Sequence, residues 1–69
     1  MTKLGLRLEV KVGDRWHLVN HRDTRDYGQF PQDLLELLKL RDQWRMNEFP
    51  NHSFRVVHKE RGRPEKVIA

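Results

Sequence analysis

Arg61-Gly62-Arg63-Pro64, within "ERGRPEK", is the stretch of this chain with the most definite chemistry attached to it. Arginines flanking a narrow glycine backbone form the core of an AT-hook, a basic element that lies in the minor groove of A·T-rich DNA. In that reading Lys59, Arg61, Arg63 and Lys66 contact the nucleic acid. The flanks argue the other way, because Glu60 and Glu65 bracket the core and would turn carboxylates towards phosphates. We therefore read the stretch as a hairpin tip whose glycine supplies a positive φ, with DNA contact as the alternative.

Catalytic combinations are scarce. The chain has no cysteine, no Gly-rich phosphate loop and no His-Glu-x-x-His. Its serine, Ser53, stands beside His52, and sequence neighbours rarely present the oriented nucleophile and base that acyl transfer requires. "HRD" at 21–23 matches a fragment of a kinase catalytic loop, but that chemistry needs a much larger scaffold. His17, His21, His52 and His58 are spaced badly for a shared ion; on a strand, His17 and His21 would lie on one face but about 13 Å apart. The expectation is a non-enzymatic protein without metal or cofactor.

Residues suited to gripping another protein are easier to find. Tyr27 sits with Arg22 and Arg25 in a charged stretch, and Tyr and Arg are the types that dominate protein contacts. Arg41 and Arg45 fall in and beside the apolar sector of a helix, where a cation has no obvious internal use. These five form the candidate partner-binding set. Trp16 and Trp44 are assigned to the core, the usual place for tryptophan in so small a chain.

Sixty-nine residues make one domain, and with 36% hydrophobic against 35% charged residues its core must be thin. Without cysteine no disulfide staples it, so packing alone holds it, completed by self-association or a partner. The net charge of +4 favours acidic protein surfaces or polyanions, yet most basic residues have acidic neighbours, which reads as a solvated mixed-charge surface. "MTKLGLRLEV" lacks the apolar run of a signal peptide or membrane helix, so we expect the cytoplasm and no membrane partner.

The elements that must position these residues follow from period. Leu4, Leu6, Leu8, Val10 and Val12 alternate with Gly5, Arg7, Glu9 and Lys11, the pattern of a strand with one buried face. Gly13-Asp14 signals a turn into "RWHLVN". A two-residue loop would pair Val12 with Arg15 and Val10 with His17, sending Trp16 and Leu18 to the polar face; a three-residue loop pairs Val12 with Trp16 and Val10 with Leu18. We expect the three-residue loop or an equivalent bulge, because it seats Trp16 and Leu18 beside the leucines. Residues 20–29 read as a loop, and "PQDLLELLKLRDQWRM" as a helix from about 31 to about 46, opened by Pro31 and Asp33. Phe30, Leu34, Leu37, Leu38, Leu40 and Trp44 share its apolar side, which should cover the sheet. "SFRVVHK" is a third strand with Phe54 and Val56 inward and Arg55 and Val57 outward. A short fourth in "EKVIA" pairs Ile68 with Val56 and puts Arg61, Gly62 and Arg63 at the tip, with Pro64 on an edge strand. The fold class is α+β: two layers, order ββαββ, one helix on one face of an antiparallel sheet, with Leu6, Leu8, Val10, Trp16, Leu18, Leu34, Leu37, Leu38, Phe54 and Val56 as core.

The succession "LRLEVKVGDRWHLV", a leucine-rich helix, then "FPNHSFRVV" resembles small single-domain proteins encoded by phages and prophages over residues 6–57. The resemblance implies an accessory viral protein that binds and alters a host factor, such as a defence complex, polymerase or nuclease. It carries no defining site motif, so no binding residue transfers, and "KERGRPEKVIA" departs from it. The functional expectation is a protein that inhibits or modulates a host protein or complex. Either sheet edge also offers a route to a homodimer.

Overall fold

The computed structural model describes residues 4–23 and 27–69. Its elements run β1 (Gly5–Val12), β2 (Arg15–Arg22), a 3-10 turn (Tyr27–Gln29), α1 (Phe30–Asn47), β3 (Phe54–Lys59) and β4 (Lys66–Val67). The strands form one sheet in the order β2-β1-β3-β4, with every pairing antiparallel. The order ββαββ and the two-layer α+β arrangement match the expectation. β1, the strand with the longest apolar alternation, is central because it is paired on both sides: Leu6, Leu8 and Val10 are at most 3% exposed.

The helix lies over one face. Leu37 is fully buried and forms the core with Leu6, Leu8 and Val56, while Val19, Phe30, Leu34, Leu38, Leu40, Phe54 and Ile68 pack around them. Pro31 suits the first turn, since a helix opens with amides that need no internal partner. The far end closes on a shared acceptor, with the amides of Glu48 and Phe49 both donating to the Trp44 carbonyl at 3.0 and 2.9 Å. Trp44 then stacks on Phe49, ring centroids 5.3 Å apart, which folds the chain back towards β3.

The first hairpin departs from the expected register. Its loop has two residues, Gly13 and Asp14, with Val12 opposite Arg15, Lys11 opposite Trp16 and Val10 opposite His17. Gly13 has φ +62° and among the described residues no non-glycine residue has positive φ, the signature of a II′ turn with glycine first. The three-residue alternative asks its last residue, Arg15, to adopt a left-handed backbone, which costs an L-residue about 1–2 kcal/mol. Turn chemistry thus outweighed the burial of two side chains. Trp16 and Leu18 are consequently not core: they lie on the face away from the helix, and Leu18 is 50% exposed. A bulge then shifts the register, so that Glu9 faces Leu18 but Leu8 faces Asn20, and the extra residue, Val19, packs against the core.

The second hairpin follows the expected register. Val57 faces Val67 and the Ile68 amide donates to the Val56 carbonyl at 2.9 Å. Gly62 takes φ +76° at the tip, and Pro64 precedes the two-residue edge strand β4, where no ladder amide is asked of it.

Candidate interaction surface

Among the described residues no helix covers the second face of the sheet, yet this face is not a plain solvated one. By register it displays Arg7, Glu9 and Lys11 from β1, Trp16, Leu18 and His21 from β2, and Arg55, Val57 and Lys59 from β3. Charged side chains standing in water would leave Val57 open; instead it is 2% exposed. The cause is a chain of contacts lying flat across the strands. Arg55 Nε donates to Glu9 Oε1 at 2.7 Å, and Arg7 Nε lies 3.7 Å from Glu9 Oε2. Arg7 then reaches over β3, beside Val57, to place Nη2 2.8 Å from Glu65 Oε1 next to β4. At the other end the Arg55 guanidinium stacks 4.2 Å from the centroid of the Trp16 ring. One carboxylate therefore organises two arginines, and the Arg7 and Glu9 side chains are each only 12% exposed. Stacking of this kind contributes about 0.5–2 kcal/mol, more as water is excluded.

The hairpin tip at 60–63 is tied to itself. Lys59 Nζ donates to the carbonyls of Glu60 and Arg63, the Arg63 amide donates to the Glu60 carbonyl, and Arg63 Nε lies 3.5 Å from Glu60 Oε2. A minor-groove hook needs extended arginines flanking a narrow backbone. Here Gly62 reverses the chain, Lys59 and Arg63 are engaged within the turn, and Arg61 is left at its exposed crest. Lys66 lies on β4 and lines, with His58, Glu60, Arg63, Pro64 and Ile68, a small cleft of about 210 Å³. That is below the range of pockets that enclose a drug-sized molecule.

The residues proposed for partner binding are dispersed. Arg22 ends β2 on the helix side, 3.5 Å from Glu36 of α1. Arg41 is turned along its own helix to Asp42, at 3.3 Å, which explains how a cation is tolerated in the apolar sector. Arg45 lies over the Phe54 ring of β3, 5.6 Å from its centroid. Since β1 separates β2 from β3, Arg22 and Arg45 flank the helix on opposite sides. Arg25 and the side chain of Tyr27 lie outside the described residues.

The histidines occupy four settings. His17 is exposed on β2, His21 Nε2 is 2.8 Å from the Leu4 carbonyl, His52 meets Phe49 edge-on and His58 meets Phe30 edge-on, each at 4.9 Å. Comparison with family models, curated proteins and solved structures finds no match. Function must be argued from the surface itself. Among the described residues no helix is long and apolar enough to cross a membrane. The network around Glu9 is not legible in the sequence because Arg55, Trp16 and Glu65 come to it from outside β1. That Glu9 and Arg55 point away from the leucines was legible; that they sit opposite each other depends on pairing between strands 46 residues apart.

Proposed function

We propose that this chain is a non-enzymatic binding protein of the accessory kind encoded by phages, acting in the host cytoplasm by covering a surface of a host protein complex such as a defence system or a transcription factor. The observation that carries the reading is the helix-free face, where Trp16 and Arg55 are stacked and held by Glu9, with Leu18 half-exposed beside them. Trp and Arg dominate binding energy in protein contacts, and side chains already locked in place lose little freedom on docking. The phage attribution rests on the pattern resemblance alone.

Affinity capture from a bacterial lysate tests the reading, with wild type and a Leu18→Asp variant whose fold is checked by circular dichroism. A stoichiometric partner retained by wild type and lost by the variant is the expected result. Equal capture by both moves the surface elsewhere, and turnover of a small molecule without any partner overturns the class.

A further inference from the structure

β2 is one margin of the sheet, and among the described residues neither a strand nor a loop backbone bonds to its outer edge. An eight-residue strand with an open edge offers a row of unpaired N–H and C=O groups, a template for another extended chain. The strand is "RWHLVNHR": two arginines and two histidines without a single carboxylate. Register divides its first half cleanly. Arg15 and His17 point to the helix side and Trp16 and Leu18 to the helix-free side, before the bulge at Val19 interrupts the alternation.

Three occupants compete for such an edge, and charge separates them. A second copy in the full-length antiparallel register would set Arg15 against Arg22 at both ends, and like charges directly opposite destabilise a sheet. A basic segment meets the same repulsion. An acidic segment gains from it, because a carboxylate opposite Arg15 finds a cation across the strand.

We infer that the outer edge of β2 takes an extended acidic segment of a partner protein as a fifth strand. Carboxylates of that segment lie opposite Arg15 and His17, and apolar side chains lie opposite Trp16 and Leu18. The inference rests on the binding-protein reading and names what the partner supplies: main-chain bonds for affinity, and an acidic-apolar alternation for specificity. Arginines and a bulge also guard edges against aggregation, and edge protection by itself predicts no ligand.

The test uses the full chain and three peptides matched to the length of β2: alternating Glu and Val, alternating Lys and Val, and the Glu-Val composition rearranged into two blocks. Binding is read by fluorescence anisotropy and located by amide exchange. The alternating Glu-Val peptide should bind and slow exchange at Arg15–Leu18, with the Lys-Val peptide weaker by about fivefold, the scale of the cross-strand charge pair at Arg15 reversed in sign. Arg15→Glu with His17→Glu should exchange the preference between the two alternating peptides, and Arg15→Gln with His17→Gln should remove it. Equal binding of alternating and block peptides, protection confined to other elements, or no binding by any peptide overturns the inference. If a lysate partner is still captured and is lost by Leu18→Asp, the binding-protein reading survives that failure; if both fail, so does the reading.

Discussion

The two faces of the sheet bury residues to the same degree by different means. Under the helix, Leu6, Leu8 and Val56 are fully buried by Leu37 and its apolar neighbours. On the open face Val57 is 2% exposed beside arginine stems and ion pairs, with no helix among the described residues above it. Apolar burial is non-directional and scales with area. Burial under paired charges is directional: Glu9 serves both Arg7 and Arg55, so losing it leaves Arg55 only its stack on Trp16 and Arg7 only its pair with Glu65. In a small domain the second device buries an apolar side chain on the open face without a third layer, and it leaves a polar, preorganised surface.

The largest expected effect breaks the apolar face. Leu8→Asp puts an unpaired carboxylate at a fully buried site, and the domain should lose its cooperative thermal transition in circular dichroism; a retained native-like transition would mean that Leu8 is not core. The open face should respond less, and non-additively. Glu9→Ala should cost about 1–3 kcal/mol, since it leaves the part-buried Arg55 without its carboxylate acceptor while Arg7 keeps Glu65, and urea unfolding of Glu9→Ala, Arg55→Ala and the double variant should show coupling between the two positions. Independent costs would reduce the network to ordinary surface pairs. The smallest effect sharpens the comparison at the point where the faces are assigned. Gly13→Ala, at φ +62° with open space around the position, should cost about 1–2 kcal/mol through the backbone alone. An unchanged denaturation midpoint would show that the II′ turn does not hold the register of β2.

Legibility followed locality. The helix was expected over about 31–46 and spans Phe30–Asn47, because Pro31, the leucine period and the stop at "NEFP" are all local signals. Pairing of Ile68 with Val56 and the positive φ of Gly62 were likewise readable from a short loop between two short strands. The β1–β2 register differs from the one that burial favours, because a glycine opening a two-residue loop is the stronger signal, and it sends Trp16 and Leu18 outward. Val57 was placed on the correct face, but its burial could not be read from alternation, which reports direction and not cover.

The sequence by itself determined the α+β class, the order ββαββ, the helix, its apolar side and the closed basic turn, since each rests on period, propensity and turn residues acting over a few positions. Only the tertiary structure decided that β2 forms the margin opposite β4, that Trp16 meets Arg55, and that Glu9 joins two arginines beside Val57. Those facts depend on pairings between distant segments, where a shift of one residue exchanges the two faces of a strand and no local pattern records the choice.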